Sequence, residues 1–212
     1  MNFRQRSFAW YYQKLLLPSE VHGLGGIRRD LVACLGGDVL EVGVGNANNA
    51  RHFVADRLEN YTGVDPNSAM LRSARDVIRT ASPGLMPRSQ FVEAAAEQLP
   101  FEDDSFDYVL ATFLHCSVPN STVALEEIRR VLRPGGRYVF LEHVLDPSSS
   151  RVRAAQKRFT PIQGLLFCGC RLDTDFERIL SGGGFNDTNI SRGSLPKSPA
   201  VLRPLCFGYA VK

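Results

Sequence analysis

Two histidines, His115 and His143, each follow an apolar run that is typical of a buried strand. An imidazole titrates near neutral pH, so it suits the removal of a proton from a reacting group. We expect either histidine to act as a general base, and we prefer His143 because Glu142 beside it could orient the ring. A hydrogen-bonded structural role is the alternative for both histidines.

A glycine loop stands at the end of the first predicted strand, where Glu41 precedes Gly43, Val44 and Gly45. Glycine has no Cβ and tolerates positive φ, so this backbone can approach a ligand closely. An ordinary strand-to-helix turn is one alternative, and a nicotinamide dinucleotide site is another. The dinucleotide pattern needs a third glycine at a position that Asn48 occupies, so a pyrophosphate site is disfavoured.

Asp65 follows the second predicted strand, 22 residues after Gly43. An acid at this position can accept hydrogen bonds from both hydroxyls of a ribose. Pro66 and Met70 begin the next turn and are expected on a purine face, although isolated residues of these types are more often helix-start and core positions. The backbone amides of residues 95–101 could read an adenine edge, and a plain turn is the alternative.

Alternating apolar and helical segments predict the elements that position these groups. The apolar runs, bounded by turn residues, predict strands over residues 38–42, 61–65, 90–93, 106–112 and 137–142. Helical segments are predicted over residues 22–35, 46–58, 68–80 and 122–132. This alternation is typical of an α/β protein with a doubly wound parallel sheet.

The pattern changes after Val144, where residues 145–172 are predicted to form a substrate-side insertion with a loop and a short basic helix. The later elements are predicted to be that helix over 151–159, a helix over 173–180, and two β-rich stretches over 185–191 and 205–211. We expect the two stretches to form an antiparallel hairpin at the sheet edge. Because 212 residues suit one core and no linker is visible, we predict a single domain over 1–212.

Two further motifs, at residues 103–109 and 130–136, follow the glycine loop and Asp65 in order along the chain. With this combination, residues 39–144 resemble the small-molecule class I S-adenosylmethionine-dependent methyltransferases. That group includes quinone C-methyltransferases, phospholipid N-methyltransferases and the methyltransferase-like thiol methyltransferases. The resemblance implies a Rossmann-like, seven-stranded sheet with an antiparallel last strand, and S-adenosyl-L-methionine as the cofactor.

The resemblance also implies a set of cofactor-binding residues. Around the methionine portion, ribose and adenine they are Glu41, Gly43, Gly45, Asn46, Asp65, Pro66, Met70, Ala96 and Glu97, and beside the sulfonium they are Ala111 and Thr112. Related sequences often carry Asp where this chain has Ala95, which puts a side-chain contact to the adenine amino group in doubt. The Asn46-Ala47-Asn48 sequence also departs from the more common small-residue and Thr-Gly continuation.

The residues that follow the fourth and fifth strands are expected to face the methyl acceptor, because ligands of such sheets bind beyond the carboxyl ends of the strands. Residues 114–118, 141–144 and 169–172 resemble the corresponding stretches of the thiol methyltransferases. We therefore expect a small-molecule acceptor that is a thiol, amine, phenol or quinol, with the thiol preferred. A catalytically inactive binding subunit and an RNA or protein methyltransferase are the alternatives.

The charge and cysteine content bear on partners and location. A net charge of +3 from 25 basic and 22 acidic residues, spread along the chain, does not suggest a nucleic-acid partner. The five cysteines form no C-x-x-C pair, so we expect no metal site, and we expect reduced thiols in the cytoplasm. Cys168 and Cys170 are too close in sequence for a relaxed disulfide with each other.

The N-terminal segment, residues 1–21, is expected to be either a lid over the site or a targeting segment. Its first nineteen residues have no acidic side chain and combine Arg and Lys with aromatic residues. A mitochondrial location and peripheral membrane contact are therefore alternatives to a cytoplasmic location. The sequence has no run of about 20 apolar residues, so we predict no integral membrane span. The sequence gives no prediction of the oligomeric state.

Overall fold

A computed structural model describes residues 18–166 and 169–212 of the chain. Within these residues, seven strands form one sheet in the order β3-β2-β1-β4-β5-β7-β6. The strands are β1 (Gly37–Val42), β2 (Leu58–Val64), β3 (Ser89–Val92), β4 (Phe106–Thr112), β5 (Leu132–His143), β6 (Asp187–Ser194) and β7 (Pro204–Val211). The five predicted parallel strands correspond to β1 to β5, which pair in parallel.

The last strand in the chain, β7, runs antiparallel to both of its neighbours, β5 and β6. This confirms the predicted seven-stranded α/β sheet with an antiparallel last strand and the predicted hairpin at its edge. The strand order reverses beside β1, whose neighbours β2 and β4 lie on its two sides. Ligands of doubly wound sheets bind at such a switch point, outside the carboxyl ends of the strands.

The helices cover both faces of the sheet. They are α1 (Gly25–Val32), preceded by a π-helical turn over Glu20–Leu24, then α2 (Ser68–Ala81), α3 (Ser121–Val131), α4 (Ser150–Leu166) and α5 (Phe176–Ser181). The buried side of α2 packs in one cluster with Leu110 and Val139, and the buried side of α3 packs in another with Val109 and Phe140. Because successive strand residues point to opposite faces, the two helices lie on opposite sides of the sheet.

The prediction of a helix over residues 46–58 is wrong. The structure has only two short 3-10 turns there, Ala50–His52 and Ala55–Arg57. Ala47 has a positive φ of 55° and Phe53 is extended, so the backbone leaves the helical region twice. Asn49 also donates a side-chain hydrogen bond to Glu41, an interaction that competes with regular helix.

Two later helices differ from their predicted bounds. The basic helix predicted over 151–159 extends through Pro161 and ends at Leu166. The helix predicted over 173–180 begins only at Phe176, because the Asp175 side chain caps it by accepting a hydrogen bond from the Arg178 amide at 3.3 Å.

Candidate active site

A cavity of about 370 Å³ opens at the carboxyl ends of β1, β2, β4 and β5. Nine of the predicted site residues line it: Glu41, Gly43, Gly45, Asn46, Asp65, Pro66, Met70, Thr112 and His143. The sheet order gives the cavity a direction, because β2 and β1 end at one side and β4 and β5 at the other. The structure thus brings Asp65 and the glycine loop together on one side and places His143 on the other.

Four predicted site residues do not line the cavity that the described residues form: Ala96, Glu97, Ala111 and His115. Ala96 and Ala111 are buried in the hydrophobic core. The Glu97 carboxylate accepts a hydrogen bond from the Asn120 amide at 3.1 Å, where α3 begins. Side chains alternate along β4, so Thr112 lines the cavity while Ala111 packs in the core.

The glycine loop requires glycine at its first position. Gly43 has a φ of +69°, and a Cβ there would lie 2.8 Å from Leu114 Cδ1. Gly45 also has a positive φ, and its amide donates to Asp65 Oδ2 at 3.0 Å. The Asn67 amide donates to Asp65 Oδ1 at 2.8 Å, so two backbone amides hold the carboxylate at the end of β2. Burial raises the pKa of Asp65, and these hydrogen bonds oppose that shift.

Glu41 is a buried carboxylate with two side-chain donors. Tyr61 donates its hydroxyl hydrogen to Oε2 at 2.6 Å, and Asn49 donates from Nδ2 to Oε1 at 2.8 Å. Burial raises the pKa of Glu41 to about 7, against the opposing effects of these hydrogen bonds and of the Arg28 charge. The carboxyl group therefore changes charge close to neutral pH.

Arg28 is a cavity residue that sequence reasoning missed. It is 2% exposed, and its guanidinium donates from Nη1 to Asn49 Oδ1 at 2.7 Å and to Thr112 Oγ1 at 3.1 Å. Nε donates to Glu20 Oε1 at 2.9 Å, which forms an ion pair. The sequence signal was the four-residue spacing of Leu24, Arg28 and Val32, a buried helical stripe that includes one arginine.

The turn after β4 is held by Glu142. Phe113 adopts a φ of +57°, which is uncommon for a bulky residue and is associated with functional sites. Glu142 is fully buried and accepts hydrogen bonds from the amides of Leu114 at 2.9 Å and His115 at 3.2 Å. The expectation that Glu142 orients the His143 ring is therefore wrong, since its two carboxylate oxygens bind the backbone of this turn.

His143 lines the cavity, and its ring lies 4.6 Å from the ring of Phe113, centroid to centroid. Its Nδ1 is buried and has no hydrogen-bond partner among the described residues. Burial lowers the pKa of His143 to about 4, so the imidazole is neutral at pH 7. An unpaired buried ring nitrogen is unusual and calls for an explanation, such as a role in catalysis.

His115 occupies a different environment in the core. Its Nδ1 lies 2.5 Å from Ser121 Oγ, and its Nε2 lies 2.9 Å from the Tyr138 hydroxyl oxygen. The ring also packs on Phe176, with the ring centroids 4.6 Å apart. Burial lowers the pKa of His115 to about 3. Both ring nitrogens are therefore occupied by neighbouring side chains.

The side of the cavity near β4 and β5 has a mostly apolar lining, to which Ser117, Lys197 and Ser198 also contribute. Leu114, Cys116 and Val118 come from the turn after β4, and Leu195, Pro199 and Leu202 come from the link between β6 and β7. The predicted insertion contributes Gln163 and Cys170. We call the part of the cavity that these three segments line the apolar end.

The described ranges, 18–166 and 169–212, contain neither a metal-binding cluster nor a membrane-spanning helix. They hold no group of three or more His, Cys, Asp or Glu side chains arranged to bind a metal ion. None of their helices is both long enough and apolar enough to cross a membrane. The N-terminal lid or targeting segment lies almost wholly outside the described residues, although Ser19 lines the cavity.

Comparisons with known proteins show the family to which this fold belongs. Residues 40–140 match the family described as a methyltransferase domain. The thiol S-methyltransferase TMT1A of Homo sapiens is 34% identical over 175 residues, which cover 82% of this chain and 70% of that protein. The ubiquinone/menaquinone biosynthesis C-methyltransferase UbiE of Brucella canis is 45% identical over 89 residues, which cover 42% of this chain and 32% of that protein.

A solved structure of a SAM-dependent methyltransferase from Thermotoga maritima has the same fold. It matches with a TM-score of 0.69 and 21% sequence identity, and the match covers all of both chains. The TMT1A match over 82% of this chain, the methyltransferase-domain match over residues 40–140, and the seven-stranded sheet all agree. The chain belongs to the class I S-adenosylmethionine-dependent methyltransferases.

Proposed function

We propose that this enzyme transfers the methyl group of S-adenosylmethionine to the sulfur of a small, mostly apolar thiol. One observation carries the proposal. A single cavity joins a polar side, formed by the glycine loop and Asp65, to the apolar end, where His143 has an unpaired ring nitrogen. A polar donor and an apolar acceptor can therefore occupy one enclosed space, as a bimolecular transfer requires.

The residues on the polar side fit the cofactor. The Asp65 carboxylate, held by two amides, suits the ribose hydroxyls, while Pro66 and Met70 suit the purine face. Glu41 and Arg28 offer opposite charges for the ammonium and carboxylate of the methionine portion. When bound, the cofactor supplies a sulfonium methyl group that is activated for displacement. The adenine contact of Ala96 and Glu97 stays a prediction and would involve their backbone, since neither side chain lines the cavity.

His143 suits the handling of the acceptor proton. A neutral imidazole with a free Nδ1 can accept a hydrogen bond from the acceptor S–H and orient the sulfur. An ordinary thiol has a pKa of about 8.5, so the neutral ring cannot take its proton in a prior equilibrium. The S–H proton becomes far more acidic as the new S–C bond forms, so its transfer to Nδ1 accompanies that step.

The character of the apolar end favours a thiol over a protonated amine. A protonated amine would need a carboxylate, and Glu142 is turned away into the backbone of the 113–117 turn. A thiol is compact and weakly hydrated, so its transfer into an apolar pocket costs little. The similarity to TMT1A supports the same acceptor atom. The residues of the insertion, 145–172, are proposed to supply part of the acceptor wall.

The test is a panel of small thiols, phenols, amines and quinols incubated with cofactor that carries a deuterated methyl group. We expect label at sulfur in at least one apolar thiol, with much slower transfer to the matched alcohol. Transfer to the ring carbon of a quinol would support the second candidate, which the 45% identity to UbiE over part of the chain favours. Parallel incubations contain RNA or protein in place of the small molecules, and transfer in these alone would contradict a small-molecule acceptor.

A further inference from the structure

Two cysteines meet at the apolar end of the cavity. Cys116 lies in the turn after β4, and Cys170 lies just beyond α4, 54 residues later. Their sulfur atoms are 3.7 Å apart, and both residues line the cavity. We propose that Cys116 and Cys170 form a reversible disulfide that narrows the acceptor end of the site.

The surrounding backbone favours this bond. The Arg171 amide donates to the Cys116 carbonyl oxygen at 2.6 Å, which holds the two chain segments side by side. Gly169 has a φ of +94°, a conformation that glycine adopts readily and that turns the chain towards Cys116. The sulfur atoms are in contact and must approach to about 2.05 Å to bond, which side-chain rotation and a small segment shift can supply.

The chemistry assigns different roles to the two thiols. The hydrogen bond with Cys116 lowers the pKa of Cys170, while the neighbouring Cys170 and burial raise the pKa of Cys116. Cys170 is half-buried and Cys116 is buried, so Cys170 is also the more accessible sulfur. Cys170 is therefore the thiolate that reacts first.

The oxidant is a hydroperoxide, and each step balances. The Cys170 thiolate attacks one peroxide oxygen, breaks the O–O bond, and becomes a sulfenic acid while hydroxide leaves. The Cys116 sulfur then attacks the Cys170 sulfur, loses its proton, and displaces the oxygen as water. The protein loses two hydrogen atoms in total, and a dithiol reductant restores both thiols.

The bond acts on one end of the cavity. It draws residues 169–172 towards the 113–117 turn, whereas the glycine loop and Asp65 directly follow β1 and β2, are joined by the Gly45–Asp65 hydrogen bond, and keep their positions. Oxidation should therefore block the acceptor and leave cofactor binding intact. Only this functional consequence rests on the proposed function; the disulfide itself follows from the position of the two sulfurs.

The cross-link is tested on the full chain, treated with hydrogen peroxide, alkylated, and digested without reduction. We expect a peptide pair that joins Cys116 to Cys170 and disappears on reduction. Cys116→Ser and Cys170→Ser should abolish it, while the matched control Cys34→Ser keeps it, because Cys34 donates instead to the Leu31 carbonyl oxygen. A cross-link to Cys168 in place of Cys170, or sulfinic acid without a cross-link, would overturn the proposal.

The effect on the site has two readouts. Oxidised wild-type protein should bind S-adenosylmethionine within about twofold of the reduced protein in calorimetry. Its methyl transfer should fall at least about tenfold and recover with dithiothreitol, whereas Cys170→Ser should resist peroxide. A mapped cross-link with unchanged transfer would overturn the narrowing of the site. The peptide map and calorimetry test the Cys116–Cys170 disulfide even if no methyl acceptor is found. Failure of the disulfide proposal can therefore be distinguished from failure of the proposed function.

Discussion

His143 and His115 show how one residue type takes two roles in the same sheet. Both rings are buried and neutral, but the Nδ1 of His143 lacks a partner among the described residues, while both ring nitrogens of His115 have partners. The sequence predicted both as candidate bases because each follows an apolar strand. It could not separate them, because the partners Ser121 and Tyr138 come from other elements. The same holds for Arg28, whose partners lie up to 84 residues away.

The first prediction at this scale concerns the acceptor proton. His143→Ala should keep cofactor affinity and lower thiol turnover about a hundredfold, at the lower limit of general-base effects, because the ring is a weak base. The loss should shrink as pH rises from about 6 to about 9, since more acceptor is already ionised. His115→Ala is the control. This change should lower the free energy of unfolding by about 2 kcal/mol, because Ser121 and Tyr138 lose a buried hydrogen-bond partner. Equal turnover by His143→Ala and wild type over this range would remove the histidine from the mechanism.

Glu41 makes cofactor binding depend on pH. Its pKa of about 7 means that the carboxyl group is mostly protonated at pH 6 and mostly ionised at pH 8. A cationic cofactor favours the ionised form, so calorimetry should show affinity rising about tenfold from pH 6 to pH 8. Glu41→Gln stays neutral and should bind weakly with a flat profile. A rising profile in this variant would assign the titration to another group.

Among the helices and strands, the sequence predicted those that short local patterns determine. The β1 strand with Gly43 and Gly45, and the β2 strand with Asp65, each carry their signal within a few residues. The helix predicted over 46–58 failed because Asn49 binds Glu41 across the loop, a contact that helical periodicity does not contain. The sequence also could not predict which residues of α4 and of the β6–β7 link line the cavity, since this depends on how distant segments pack.

The glycine loop gives a prediction for one element. Gly43→Ala should lower the unfolding free energy by about 1–2 kcal/mol, because of its positive φ and the contact with Leu114. It should also weaken cofactor binding, because Leu114 lines the same cavity. Gly84→Ala is the matched control, with ordinary φ and no atom within 4 Å of the added Cβ. Denaturant titration and calorimetry on both variants check this, and equal behaviour would show that the loop tolerates a side chain.

The N-terminal segment is predicted to be a lid over the cavity. Ser19 lines the cavity and Glu20 forms an ion pair with Arg28, so the described chain lies at the site immediately after residue 17 in the sequence. Deleting residues 1–17 should weaken cofactor binding about tenfold, through lost aromatic contact. A chain that begins after Pro18 in cells and binds the cofactor normally would favour a targeting segment and a mitochondrial location over the predicted cytoplasmic one.

Calorimetry on Asp65→Ala tests whether the carboxyl edge of β1 and β2 holds S-adenosylmethionine through Asp65. Losing this carboxylate should cost about 1.5–3 kcal/mol, or about tenfold to a hundredfold in affinity, with the fold intact. Asp76→Ala, on the exposed side of α2, should bind like wild type. Unchanged affinity in Asp65→Ala would contradict the role of Asp65, and tighter binding of NAD than of S-adenosylmethionine by wild type would contradict the cofactor assignment.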